Sequence, residues 1–595
     1  MRHCWTRLEF RLHRHATACL FLLLAVQTVL LAWQAFDNSP VLDEPAHLAA
    51  GLSHWRFGRF DLYRVNPPLV RSVAALSVLM VDHREDWHSY QSQPLAREEF
   101  VTGQALVSAN GKRILTLMSL ARLACIPFSW VGMVVSFLWA RQLAGNRAAV
   151  LAATMWICCP NLLAHGALIT PDAAATSSGL LASWRFHQWL RHSSWRNAVL
   201  AGGTLSIALL TKSTWLLLLI LWPSILLVQM AFEQRFRSSV FTGQLIGILT
   251  IGLYGLNAGY LFEGSLRPLE EFQFLSRSLT GLAAEGDQPS THVPGNRFAA
   301  TWLSSIPVPL PADYVEGIDL QKVDFELGQP SYLRGEWRDH GWWYYYLYAI
   351  LVKTPVGLLM LSAAAAVLWW KHRRRFRSAS LLTLVLPALM VLTLVSLQTG
   401  FNKHLRYILP VLPFAWLTTA IVLSRTLRTR SGMRMVVWLL LSWSAVSCWA
   451  ALPNGLTYFN EPAGGPERGW CHLLGSNLDW GQRLGELKRW NDQRTDDLPL
   501  FVSCDALFDP ADIGIPCRSP SFREPQMTPG WYAISINRLQ SSPELKRVFG
   551  SRPPEIILGH TIRLFCLRSP LSISSPPDSA AELPPAGHTQ RDSPR

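Results

Sequence analysis

The sequence predicts a mainly α-helical polytopic membrane bundle of about eleven spans, because runs of about 20 apolar residues recur along it. Composition points the same way. Of 595 residues, 50% are hydrophobic, 26 are Trp and only 16% are charged, whereas soluble proteins carry roughly 25% charged residues. The third observation is the placement of charge. The net charge of +14 would suit nucleic acid only if Lys and Arg gathered on one face. They sit instead in short clusters between apolar runs, the pattern of cytoplasmic membrane loops, which points to membrane lipids and not nucleic acid as the surroundings.

The apolar segments begin near residues 16, 114, 148, 173, 198, 214, 240, 342, 380, 405 and 434. With a cytoplasmic N-terminus, the inner segments hold Arg2, Arg7, Arg11 and Arg14, then Arg141 and Arg147, then Arg185, Arg191 and Arg196. Arg235 and Arg237, the run Lys371 to Arg377, and Arg425 to Arg434 complete them. The short outer connections carry little beyond Lys212, Lys403 and Arg406, so the positive-inside rule sets the orientation. An odd number of spans then places the C-terminus outside. The first run, Ala16 to about Phe36, follows a basic stretch; its length and the lack of a small-x-small cleavage site favour a retained anchor over a signal peptide.

Three long segments fall outside on this topology: about 37–113, about 262–341 and everything after about 453. In the first, Pro68 to Val81 is apolar enough to lie along the interface as a helix. The second is acidic, with Glu270, Glu271, Asp313, Asp319, Asp324 and Glu326. The third reads as a small α/β domain over 453–568, with strands at Leu500 to Ser503, Trp531 to Ile536 and Ile556 to Leu567 and a helix near Gly481 to Trp490. It follows a membrane domain over 1–452. A Pro/Ser-rich tail over 569–595 lacks apolar periodicity and reads as disordered. Cys471, Cys504, Cys517 and Cys566 face an oxidising compartment on this topology and are candidates for one or two disulfides. No CxxC pair suggests zinc.

Directly after the first run comes VLDEPAHLAAG, which puts Asp43, Glu44 and His47 just outside the membrane. A helix starting near Pro45 gathers these side chains at its N-terminus. A carboxylate there suits the work of a general base, although acids at a helix start also serve as caps and favour its dipole. A second acid sits in HGALITPDAAA, where His165 and Asp172 flank the outer turn between the third and fourth spans. Asp172 too can act as a cap. The two acidic motifs nevertheless share one membrane face.

Cations at the same edge oppose the inside bias: Lys212 in LLTKSTW, Lys353 in AILVKTPVG, and Lys403 and Arg406 in FNKHLRYILP. Interfacial charges are costly enough to count as functional candidates, and a lipid phosphate at headgroup depth is a natural partner for them. Snorkelling to lipid headgroups is the plainer alternative for any single one.

Taken in order, DEPAH, NPPL at Asn66 to Leu69, HGALITPD, LLTK, RGEWRDHGWWYYYLYAILVKTP and FNKHLRYILPVLP resemble the C-type polytopic membrane glycosyltransferases. That superfamily includes the protein O-mannosyltransferases and the aminoarabinose transferase of lipid A. YFNEPAGGPERGW (Tyr458 to Trp470) and SNLDWGQ (Ser476 to Gln482) are similar to segments of its bacterial phospholipid-carrier-dependent members. The resemblance implies a polyprenyl-phosphate-sugar donor in the cytoplasmic (inner) membrane and inverting transfer to a hydroxyl of a protein, lipid or glycan acceptor. It further implies Asp43 as the base, with Asp172 holding a sugar. Glu44 or His47 would touch a metal or phosphate, and Lys212, Lys353, Lys403 and Arg406 would bind phosphate. Metal use varies across the superfamily, so a divalent metal stays open as a cofactor.

An absence supports this donor class. A sugar-nucleotide enzyme needs a soluble nucleotide-binding α/β unit, and the cytoplasmic loops are far too short for one. A transporter or flippase is the competing class, but such proteins place charged sites near the midplane and show repeated halves. Here the polar motifs gather at the outer edge. A non-catalytic receptor or scaffold built around the C-terminal region is disfavoured by the pairing of Asp43 with Asp172.

Overall fold

The computed structural model describes residues 15–91, 97–237, 239–281, 294–372, 379–427, 431–521 and 526–572. Arg2, Arg7, Arg11 and Arg14, most of the run from Lys371 to Arg377, and nearly all of the tail expected over 569–595 lie outside them.

Every apolar run read from the sequence forms helix. Among the described residues, five helices are long and apolar enough to cross a membrane, or up to seven if each of two bent pairs is one span. The five are Ala16–Asp37, Glu99–Ala144, Ser213–Phe232, Ser239–Gly259 and Gly432–Ala450. The bends fall at prolines. Asn146–Ile157 and Pro160–Gly166 meet at 66°, and Tyr345–Lys353 and Val356–Lys371 at 119°, since proline removes a helical donor and opposes helical geometry in the residue before it. The first helix is built into the bundle, packing against Ile114–Ala144 and Asn146–Ile157, with Gln27 Nε2 donating to Ser129 Oγ at 2.6 Å.

Outside the apolar runs, Glu44–Phe57 is wedged between Leu69–Leu79 and Glu99–Asn110. Two glycines permit this. A Cβ on Gly51 would run into the Arg71 carbonyl, and one on Gly103 would meet the Ala46 backbone nitrogen at 2.6 Å. Close helix approach of this kind fixes where the start of Glu44–Phe57 can lie.

The C-terminal region holds a four-stranded mixed sheet in the order Leu500–Ser503, Gly530–Ser535, Ile562–Leu567, Ile556–Leu558. The first two strands pair parallel and the others antiparallel. The run Ile556 to Leu567, expected as one strand, is a hairpin: Gly559 and His560 adopt positive φ (51° and 64°), and Thr561 N–H donates to the Leu558 carbonyl at 3.0 Å. One apolar cluster joins this sheet to the helices beside the membrane bundle, uniting Leu48, Leu52, Leu106 and Leu117 with Leu484, Val502, Ala533 and Leu564. Cys471, Cys504, Cys517 and Cys566 are free thiols, so the expected disulfides are not formed.

Candidate active site

Asp43 immediately precedes the helix Glu44–Phe57, but its side chain makes no capping bond. Only its carbonyl joins the helix, accepting from His47 N–H at 3.0 Å. The carboxylate is therefore free for other work, and Oδ2 accepts from Arg406 Nη1 at 2.9 Å. Asp172 is likewise not the cap of its helix Pro171–Arg191, a position held by Thr170. Its Oδ1 accepts from Lys212 Nζ at 2.6 Å, and its Oδ2 lies 3.8 Å from Arg406 Nη1.

Four predicted residues thus form one row of alternating charge, Asp43, Arg406, Asp172 and Lys212. Their positions follow from local chain behaviour. Lys212 comes where Trp195–Thr211 ends in an extended residue (φ −159°), and Arg406 sits in a short turn, Leu405–Ile408, ahead of Val411–Thr426. Aromatic rings wall the row. The Arg406 guanidinium lies 4.2 Å from the Trp480 ring centroid, and Lys212 Nζ lies 5.3 Å from that of Tyr407.

All four side chains are largely shielded from solvent. Asp172 Oδ2 and Arg406 Nε have no hydrogen-bond partner, nor has His165 Nδ1, whose ring meets Trp480 edge-on at 6.3 Å. Buried polar atoms are normally satisfied, so these three stand out in and beside the row.

The remaining candidates make their direct contacts with other groups. Glu44 turns away from Asp43 and forms a fully buried pair with Arg122, at 2.9 and 2.5 Å. Its oxygens also accept from Val41 and Ile169 N–H. His47 stacks on Tyr63 with centroids 4.4 Å apart. Lys353 donates to the carbonyls of Leu456 and Asn477 at 2.7 and 2.6 Å, and Lys403 donates to Gln329 Oε1 at 2.9 Å. Among the described residues no three His, Cys, Asp or Glu side chains converge as a metal site would need.

Arg122 is a residue that sequence reasoning missed. Besides Glu44 it donates to the carbonyls of Ala35, Asn38 and Ser39, fixing the chain that leads into Asp43. Its signal was present: an arginine inside the apolar run LTLMSLARLACIPF is costly unless it serves a purpose.

Residues 116–253 match the family described as Dolichyl-phosphate-mannose-protein mannosyltransferase, a stretch that contains His165, Asp172 and Lys212 but not Asp43 or Arg406. No curated protein matches the chain in sequence. Among solved structures, it is similar to ArnT from Cupriavidus metallidurans in the apo state, with TM-score 0.44, 15% identity, and coverage of 92% of this chain and 98% of that one. The same protein bound to undecaprenyl phosphate gives 0.42, 13%, 92% and 98%. The Archaeoglobus fulgidus oligosaccharyltransferase, tethered with an acceptor peptide containing the NVT sequon, gives 0.37, 11%, 81% and 61%. The family match over 116–253 is in keeping with the motif order, which resembles that of the C-type polytopic membrane glycosyltransferases.

Proposed function

We propose that the protein transfers a sugar from a polyprenyl-phosphate carrier to an acceptor hydroxyl on the outer face of the membrane. The observation that carries this reading is the row Asp43, Arg406, Asp172 and Lys212, two carboxylates and two cations within ion-pair distance of one another. The donor phosphate binds to Arg406, whose Nε is unpartnered, and to Lys212. Charge-assisted bonds of this kind are roughly twice as strong as neutral ones.

Asp43 takes the proton of the acceptor hydroxyl as its oxygen attacks the anomeric carbon. The bond from that carbon to the phosphate oxygen breaks, its electron pair leaves with the polyprenyl phosphate, and the two cations stabilise the charge that develops there. Attack from the face opposite the leaving group inverts the anomeric centre. Asp172 Oδ2 and His165 Nδ1 hold sugar hydroxyls. Eleven spans, reached by adding Pro171–Arg191, Trp195–Thr211, Ala379–Leu397 and Val411–Thr426 to the seven above, with the N-terminus cytoplasmic and the region after 453 outside, put this row at the outer edge, and Leu69–Leu79 lies along the interface.

Cells with and without the gene separate this reading from transport. Loss of the transferase leaves the lipid-linked sugar unspent and abolishes a glycosylated product, and purified protein supplied with the lipid-linked sugar and acceptor restores it. If the purified protein moves the lipid-linked sugar across vesicles and forms no product, the reading is wrong.

A further inference from the structure

We infer that Trp480, from the region after the last span, is a positioning residue that holds Arg406 toward the donor phosphate. The inference rests on the function proposed above. Trp480 is 5% exposed and packs among Val41, Ala164, Leu168 and Leu456. Its ring face lies 4.2 Å from the Arg406 guanidinium carbon. The Trp480 carbonyl accepts from Leu42 N–H at 3.0 Å, so one residue touches the chain beside Asp43 with its backbone and Arg406 with its ring.

The neighbours of Trp480 anchor it on both sides. Asn477 Oδ1 accepts from Leu405 N–H at 2.7 Å and Asn477 Nδ2 donates to the Lys403 carbonyl at 2.8 Å, holding the backbone on either side of His404, just ahead of Arg406. Gln482 accepts from Ser39 N–H through its carbonyl at 3.1 Å, and its side chain receives Trp480 N–H at 2.7 Å. Arg483 donates to Asp37 Oδ2 at 2.6 Å and Asn38 Oδ1 at 2.7 Å. The ring is thus a fixed platform. An arginine lying on an aromatic face gains cation–π attraction when desolvated and keeps its planar fork free for two hydrogen bonds. With Nη1 on Asp43 and the face on Trp480, the Nε edge is the part left to meet phosphate oxygens.

Binding of undecaprenyl phosphate to the purified full-length protein in lipid nanodiscs tests this with four variants: Arg406→Ala, Trp480→Leu, Trp480→Phe and the double variant Arg406→Ala/Trp480→Leu. Trp480→Leu keeps apolar bulk but removes the π face, and it weakens binding about 3- to 30-fold, the range of a cation–π contact. Trp480→Phe restores most of that loss, which a simple packing defect would not show. In the Arg406→Ala background, Trp480→Leu adds nothing. Wild-type affinity in Trp480→Leu, equal loss in the Leu and Phe variants, or an independent loss on top of Arg406→Ala overturns the inference. If wild type and Arg406→Ala bind equally, or neither binds, the phosphate reading of the site falls first, and the inference with it. Thermal unfolding of each variant separates misfolding from loss of binding.

Discussion

Arg406 Nη1 donates to Asp43 Oδ2 at 2.9 Å across 363 positions of sequence. The pair joins the residue before the helix Glu44–Phe57 to the turn before the helix Val411–Thr426. On the function proposed above, this contact sets the phosphate-binding group against the base, so that loading a donor at Arg406 also readies Asp43.

Asp43→Asn leaves shape and capping capacity intact, since Asn caps about as well as Asp, but it cannot accept the acceptor's proton. Transfer falls about 10²- to 10⁴-fold, the contribution of a positioned general base, while expression and membrane insertion hold. Near-normal turnover in a reconstituted assay would move the base to another carboxylate.

At Arg406 the geometry of the fork matters as well as its charge. Arg406→Ala weakens donor binding or turnover about tenfold to a hundredfold, as expected for losing a charge-assisted hydrogen bond of about 1.5–3 kcal/mol. Arg406→Lys recovers only part, because an ammonium has no planar fork to span Asp43 and phosphate together. Full activity in the Lys variant would show that charge alone suffices.

Glu44 gives the opposite signature. Its carboxylate is buried on Arg122, and removing one partner of such a pair costs about 3–5 kcal/mol. Glu44→Gln therefore lowers the thermal midpoint and the yield of folded protein, while what survives keeps its donor affinity. A stable Glu44→Gln protein that fails to bind donor would instead place Glu44 at the substrate.

Asp479 supplies a pH dependence. Burial, and then the charge of Asp505, push its carboxyl up to about 7 from an ordinary 3.8. The folded state thus holds that proton more tightly than the unfolded chain, and the Asp479 contribution to stability is full below about 3.8 and lost as pH rises through about 7. Between pH 5 and 8 the melting temperature of the wild type falls relative to that of Asp479→Asn. Parallel melting curves for the two proteins across that range would contradict it.

Topology can be read directly. A reporter fused after Asn454 reports the outer compartment if the region that follows shares the side of Asp43 and Arg406. Because Trp480 contacts Leu42 and Arg406, a cytoplasmic signal there would move the whole row to the inner face.

Much of this arrangement was legible in the sequence for a physical reason: apolar runs have to become helices in lipid, and charges against the inside bias have to be accounted for. Lys212 and Arg406 were found that way, Asp43 and Asp172 as acids at helix starts on the same face, and the structure brings the four together. The direction of Lys353 was not legible, because its partners are backbone carbonyls of Leu456 and Asn477, which no side-chain pattern encodes. Nor was the pairing of Glu44 with Arg122, which depends on how two helices pack. Trp480 lies in an irregular stretch with no period to betray its neighbour. The hairpin within 556–567 did carry a mark, Gly559 between two apolar runs, the punctuation expected of a turn.

The stitching of Trp480–Arg483 onto residues 37–42 bears on the order in which the protein is made. Asp43 leaves the ribosome early, whereas the segment that ties down Asp37, Asn38, Ser39 and Leu42 is more than 430 residues behind it. Until that late segment arrives, the backbone before Asp43 lacks those bonds and Arg406 lacks its platform. A nascent or truncated chain ending before Trp480 lacks these bonds, so on the proposed function its centre is assembled only after that late segment has been made.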